Sequence, residues 1–382
     1  MIPTEYIGRR TNERFTYRRV TFPDLLESEA YGNVISGEVA QSYLSTTRAT
    51  CSFEFQGGEA PSTRDLVRIW YTFDQQETPL CVGTYVVNYA EVTYTTSNGE
   101  NVASGSVEGS SILSVLANRI VGYPLTIPSG VKAVSKAIEL CNLLELHATE
   151  NAPTPSTYVT STSHTFEADD TMLTVVNWLL DAAGYASATC DAYGRVVLEP
   201  YKAPNYNEPV YTFANDAKSI IANEVTETNN WSNAQNVVRC YYEDDTASIY
   251  AWAKDNTGGK SSLDATAGRE ITLYENVTEL DSTTTAERLT ELINHARTKL
   301  IDNSTEIMYL EFGIPLVPIE PGQPVEVVKN GESWKLILTN YDIALEVGTQ
   351  STAKGRRMVN RQDTSGITSG GEVLWEAEAT NE

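Results

Sequence analysis

The segment Asp169–Tyr201 constrains the fold more than any other, because in it a helical periodicity gives way to a strand periodicity at a single glycine. Apolar side chains at Met172, Val175, Val176, Leu179, Leu180 and Ala183 fall on one face of a helix. The acids Asp169-Asp170 ahead of them supply a cap. Gly184 ends the helix, being free to turn left-handed. Ser187–Cys190 and Arg195–Tyr201 then read as paired strands, with Asp191-Ala192-Tyr193-Gly194 as their turn.

Strand patterning dominates on both sides of this unit. Val67, Ile69, Tyr71 and Phe73 alternate with Arg68, Trp70 and Thr72, and Cys51-Ser52-Phe53-Glu54-Phe55 alternates likewise before Gly57-Gly58. Strand signal resumes over Val82–Thr96, and short strands at this spacing mean a barrel or a sandwich. The pattern changes after residue 116. Val131, Val134, Ile138 and Cys141 share a helical face, and a Pro/Ser/Thr-rich loop over 152–163 leads into the helix and hairpin. From Pro209 strands return at 236–242, 248–253, 270–274, 305–312 and 325–328, with a closing pair beyond, and Asn330-Gly331 marks a hairpin turn. One helix interrupts them after Asp281-Ser282-Thr283, with Leu289, Leu292, Ile293, Ala296 and Leu300 on one face. From Gln362 the pattern fades into Gly and Ser around Val373-Leu374-Trp375, predicting a flexible tail in which Trp375 could anchor a partner.

The run Tyr193–Tyr201, YGRVVLEPY, closing a helix-then-hairpin unit, resembles the hub proteins at the tip of long phage tails. A second resemblance lies downstream. In Ile314–Val327 a Pro321-Gly322 turn feeds a strand, as in hub and tail-tube proteins, although Gln323 stands where that family usually has an acid. Trp334–Leu345, ahead of Lys354–Met358, is similar to the family's terminal barrel strands.

The resemblance implies a mainly β, α+β chain. It would comprise a tube-like barrel with a basic N-terminal arm over 1–116, a small α+β domain over 117–205, a second tube-like barrel with a helical and loop insertion over 206–361, and the tail over 362–382. It also implies a homotrimer, whose six barrels form a ring between a sixfold tail tube and threefold tip or fibre proteins. Partners would be a distal tail or tail-tube protein, a tape-measure protein, and fibre or tip proteins. DNA would pass through without specific binding. Such a protein is a virion tail component assembled in the host cytoplasm.

Charge agrees with that expectation without requiring it. Lys plus Arg number 27 against 51 Asp plus Glu, a formal net charge of −24, which repels phosphate and argues against a nucleic-acid grip. Acidity equally keeps a large assembly component soluble. The exception is the N-terminus, where Arg9, Arg10, Arg14, Arg18 and Arg19 suggest a contact with a protein partner, although a solvated charged end reads the same way. Tyrosines (21) far outnumber phenylalanines (8), which suits half-buried strand faces and subunit contacts. No apolar run has the length of a membrane span or a signal core. The five cysteines form no pairing pattern and read as reduced, mostly buried side chains.

Catalytic patterns are missing from the sequence. His147, His164 and His295 sit in no metal-ligand spacing and read as structural, and only His164 has the exposure of a general base. Asp169-Asp170 or Asp244-Asp245 could be nominated as a glycosidase pair, but with so many acids the nomination decides nothing. The expectation is therefore no enzyme, cofactor or metal. Two other readings are a host-surface adhesin, whose aromatics would cluster in long loops, and a cell-wall hydrolase, for which too few residues follow the last strand. The tryptophans at 70, 178, 231, 252, 334 and 375 mostly fall within strand or helix patterns, which favours packing over sugar stacking.

Overall fold

This computed structural model describes residues 10–28, 32–58, 60–74, 76–97, 100–202, 205, 208–214, 221, 224–230, 234–256, 262–277, 280, 282–303, 306–359 and 366–376. The first region holds β1 (Arg14–Val20), β2 (Gly32–Ser42), β3 (Ala49–Gln56), β4 (Leu66–Thr72), β5 (Leu80–Ser97) and β6 (Glu100–Ser111). A mixed region follows, with α1 (Leu113–Asn118), β7 (Leu125–Ile127), α2 (Ala133–Leu143), β8 (Ala148–Glu150), β9 (His164–Phe166), α3 (Met172–Ala182), β10 (Thr189–Cys190) and β11 (Val196–Leu198). Next come β12 (Tyr211–Ala214), β13 (Val225–Asn230), β14 (Val237–Glu243), β15 (Ala247–Asp255), β16 (Thr272–Asn276) and α4 (Thr285–Asn303). The chain ends with β17 (Glu306–Ile314), β18 (Pro324–Lys329), β19 (Glu332–Ala344), β20 (Ser351–Val359) and β21 (Ile367–Glu376). Two compact units result, residues 1–225 with 311–355, and residues 226–310 with 356–382.

In the larger unit the order β1-β4-β5-β6-β3-β2 returns to β1 through Phe15↔Val34, Thr16↔Asn33 and Tyr17↔Gly32, closing a six-stranded barrel. The alternation read from the sequence fills it. Cys51, Phe53 and Phe55 point inward while Ser52, Glu54 and Gln56 face out. The interior is aromatic, with Tyr17 edge-on to Phe55 at 5.4 Å between ring centres and Phe15 beside Tyr71 at 4.9 Å. Gly32 is required at the seam, since a Cβ there would lie 2.1 Å from the Tyr17 ring. The sheet continues past the barrel. β19 pairs with β18 through Glu332–Ile337 and with β2 through Asn340–Ala344, and β18 takes β12 alongside in parallel. Among the described residues no pairing joins the ends of this outer run of strands. Asn330 (φ 55°) and Gly331 form the expected hairpin turn between β18 and β19.

The mixed region packs α2 and α3 into one core with α1, Phe166, Val196 and Leu198, and this core takes in Val20 and Leu66 from the barrel. α3 buries Met172, Val175, Val176, Leu179 and Leu180 as expected. It ends in a Schellman closure, with Tyr185 N donating to Leu180 O at 2.8 Å and Gly184 N to Asp181 O at 2.9 Å. Its cap differs from expectation. Thr171 Oγ1 accepts from Thr174 N at 3.2 Å, while Asp170 Oδ2 accepts from Glu167 N and so stabilises the preceding turn. The α2 face is also displaced, to Ala133, Val134, Ala137, Leu140 and Cys141. Val131 lies outside the helix because its backbone bonds to Thr160 in both directions. The short α1 straddles the expected boundary at residue 116 between the β region and the mixed region.

The smaller unit is a four-stranded sheet in the order β16-β14-β15-β21, with α4 across one face. Leu292, Ala296 and Leu300 of the expected helix face bury against Val238, Cys240, Ile249 and Ala251. Thr284 caps α4, its Oγ1 accepting from Glu287 N and donating to the Glu287 carboxylate. Within the expected flexible tail, Ile367–Glu376 is instead a strand running antiparallel along β15 from Asp255↔Ile367 to Ala247↔Glu376. Its glycines permit close approach. A Cβ on Gly370 would sit 3.0 Å from the Trp252 ring, and one on Gly371 would sit 2.6 Å from the Tyr250 carbonyl oxygen. Residues 362–365 and 377–382 lie outside the described residues.

Candidate assembly surfaces

The residues weighed for chemistry have local partners. His147 Nε2 is 2.9 Å from Pro23 O. His164 stacks on Trp178 at 4.9 Å and meets Phe166 edge-on. His295 Nε2 lies 3.3 Å from Glu275 Oε1, which Lys299 also approaches at 3.0 Å. The cysteines carry no disulfide, and burial pushes the thiols of Cys51, Cys81 and Cys141 up to about 12 and those of Cys190 and Cys240 up to about 11. At neutral pH these are thiols rather than nucleophilic thiolates. Asp244 turns the β14–β15 hairpin by accepting from Thr246 N and Ala247 N, each at 2.8 Å.

The arginines expected at a partner contact are engaged within the chain. Arg10 donates to Tyr71 OH at 3.0 Å and lies over the Phe73 ring, and Arg14 Nε donates to Thr72 Oγ1 at 2.9 Å. Arg18 pairs with Glu27 at 2.9 Å and Arg19 with Asp65 at 3.5 Å. Arg14, Arg18 and Arg19 are therefore part of barrel strand β1, and Arg9 lies outside the described residues. Trp375 sits opposite Ser248 at the end of β21, with 42% of its surface exposed. Trp70 and Trp178 pack against rings, whereas Trp231 falls outside the described residues.

Arg68 carries no signal in the sequence beyond its place on the outward side of an alternating strand, yet it is only 5% exposed. Its Nε donates to Thr84 Oγ1 at 2.8 Å, its Nη2 to Tyr193 O at 2.8 Å and its Nη1 to the Glu27 carboxylate. Thr84 Oγ1 in turn donates to Ala192 O at 2.8 Å. The turn of the β10–β11 hairpin is thereby fastened to the barrel wall formed by β4 and β5, with Tyr193 edge-on to Trp70. Beside this joint a cleft of about 920 Å³ is lined by Tyr43, Arg48, Asp191, Glu199, Glu320 and Tyr341, among others. Burial, reinforced by Glu199 and Asp191, raises the Glu320 carboxyl. Tyr341 OH accepts from Val317 N at 3.0 Å and holds the Pro-rich loop that forms one wall.

The β5–β6 ribbon is an exposed feature of the larger unit. β4 follows β5 only as far as Leu66↔Val86 and β3 follows β6 only to Gln56↔Ser104, while β5 and β6 stay paired to Ser97↔Glu100. The edge of β5 is therefore open from residue 88, and residues 94–97 with their β6 partners project past both flanking strands by roughly 13 Å at strand rise. Among the described residues no strand covers the outer edge of β5 beyond Val86. Tyr89 (49% exposed) and Tyr94 (66%) stand on this ribbon among threonines. An open edge with branched and aromatic side chains is a template for pairing with another chain.

No protein-family model matches the sequence, and no curated protein does. Solved structures do match. The tail protein from Neisseria meningitidis MC58 aligns over 90% of this chain and 96% of its own, at 14% identity and a TM-score of 0.51. The prophage MuSo2 43 kDa tail protein from Shewanella oneidensis aligns over 91% and 98%, at 12% identity and 0.53. The Francisella PdpA-VgrG complex, half-lidded, aligns over 93% of this chain but 59% of the other, at 8% identity and 0.53. The chain has the fold of these phage tail proteins, mainly β and built on a closed barrel.

Proposed function

We propose that this chain is a structural hub of a phage tail, three copies of which form a ring joining the tail tube to tip or fibre proteins. The observation that carries the reading is a likeness spanning nearly the whole of two tail proteins as well as nearly the whole of this chain. The barrel with its open β5 edge supports the ring, since strands left uncovered in one copy can pair with a neighbouring copy. A second tube-like barrel within 206–361 is part of this proposal, as is a role without catalysis. Distal tail, tail-tube and tape-measure proteins are the proposed neighbours, with Trp375 as an exposed ring available to one of them.

The formal charge of such a ring would be three times −24. An acidic lumen does not trap a passing phosphate backbone, whereas a basic one would. The placement of Arg14, Arg18 and Arg19 in intrachain pairs is compatible with a lumen free of unpaired arginine. Light scattering on the purified chain, alone and mixed with its tail neighbours, tests the proposal. A trimer in either sample is expected, and a monomer in both overturns it.

A further inference from the structure

We propose that Cys240, Glu275 and His295 form a binding site for a divalent transition-metal ion of the zinc class. The three donors come from three elements of the smaller unit. Cys240 in β14 stands directly opposite Glu275 in the parallel strand β16, and His295 reaches them from α4, which lies across the same face. Sγ, a carboxylate oxygen and a ring nitrogen all lie within 4.8 Å of one another.

The donor chemistry selects the metal. Thiolate with imidazole and carboxylate is a set that zinc accepts with a fourth position left to water. A sulfur donor disfavours magnesium and calcium, which take oxygen shells. Donor separations around tetrahedral zinc are about 3.2–3.8 Å from its bond lengths; His295 Nε2 and Glu275 Oε1 at 3.3 Å already fit, and a pair at the 4.8 Å limit would close by about 1 Å. Glu275 and His295, whose side chains are 28% and 32% exposed, have room to do so.

A second observation points the same way. His295 Nε2 is a buried atom with no aligned hydrogen bond, although Glu275 Oε1 is 3.3 Å away. The imidazole offers a nitrogen within 4.8 Å of both the Cys240 thiol and the Glu275 carboxylate. A bound metal would take Cys240 as the thiolate, releasing its proton.

The opposing group is Lys299, whose ammonium lies 3.0 Å from Glu275 Oε1. It occupies the carboxylate in the way a cation would, and its side chain is 38% exposed, so it can swing into solvent when a metal enters. The competing account is a simple ion cluster, Glu275 between His295 and Lys299, resting on an inert thiol. The two accounts differ in what Lys299 does. In a metal site it competes, and its removal tightens binding; in an ion cluster its removal creates no affinity.

The test is titration of the full chain with Co²⁺, followed by Zn²⁺ competition against a chromophoric chelator. A thiolate-to-cobalt charge-transfer band and the visible bands of a four-coordinate ion are expected, both displaced by zinc. Cys240→Ala should abolish the charge-transfer band, and Glu275→Gln and His295→Gln should each weaken zinc by at least about tenfold. Lys299→Met should strengthen it. No thiolate band in the wild-type chain, or a band that survives Cys240→Ala, overturns the proposal. If Cys240→Ala fails to fold, unchanged zinc affinity in Lys299→Met and in His295→Gln overturns it equally. None of these readouts depends on the hub reading.

Discussion

Replacing Arg68 by Met removes the guanidinium that joins the β10–β11 turn to the barrel while keeping an unbranched apolar stem. Three hydrogen bonds go with it, to Thr84, to Tyr193 and to the Glu27 carboxylate. Breaking a buried ion pair costs about 3–5 kcal/mol, most of it from the charge left behind. Here Glu27 keeps Arg18 at 2.9 Å, so the loss falls at the low end, about 3 kcal/mol. That corresponds to on the order of a 100-fold rise in local opening. Lys at this position retains the charge but not the fork that reaches three acceptors, and should lose about half as much. Hydrogen exchange by mass spectrometry is the suitable assay, since a chain of this length need not unfold in one step. Residues 66–72, 80–86 and 189–198 should lose protection, whereas β14, β15 and α4 should not. The double variant with Glu27→Gln should cost at least about 1 kcal/mol less than the sum of the single variants. Protection within about threefold of wild type in Arg68→Met, or equal losses for Met and Lys, would refute the reasoning.

Two further outcomes follow from local geometry. Hydrogen bonds from Thr246 Oγ1 and N, Tyr242 OH and Ala247 N hold the Asp244 carboxyl well below the usual range, against a smaller desolvation that raises it. Because the folded-state value is depressed, its contribution is complete above the unfolded value of about 3.9 and is lost as pH falls through the folded one. The stability gap between wild type and Asp244→Asn should therefore be flat from neutrality to about pH 5 and shrink below about pH 4; a gap constant down to acid would contradict it. Gly371→Val drives a Cβ to 2.6 Å from Tyr250 O and 2.9 Å from Leu289 Cδ1, so it should separate β21 from β15 at about 1–3 kcal/mol. Faster exchange across 367–376 checks this, and unchanged exchange would rule it out.

Legibility divides along a physical line. The α3 face, the stop at Gly184, the Asn330-Gly331 turn and the alternation in β3 and β4 are local rules, each decided within a few residues, and they could be read directly. The α2 face slipped because Val131 has helical spacing but gives its backbone bonds to Thr160. Asp170 and Thr171 both make good caps, and only the turn formed by Glu167 decides between them. β21 was missed because Gly370 and Gly371 signal weak strand propensity locally, while their purpose is room for Trp252 and the Tyr250 backbone. Arg68 and the Cys240–Glu275–His295 cluster could not be seen at all, since each is assembled from segments far apart in the chain.

The pairing of β2 with β19 carries a cost in time. Ser42 meets Asn340, a separation of 340 − 42 = 298 residues. At about 5–20 residues per second, a ribosome that has released β2 needs on the order of 15–60 s more to deliver its partner. Throughout that interval Glu38–Ser42 presents an open strand edge to every other nascent copy translated from the same message. A neighbouring chain further along in synthesis can supply its own Asn340–Ala344 first, giving an exchanged dimer with native pairing throughout. Slower initiation, which spaces ribosomes more widely on the message, should raise the yield of correctly closed chains more than slower elongation does.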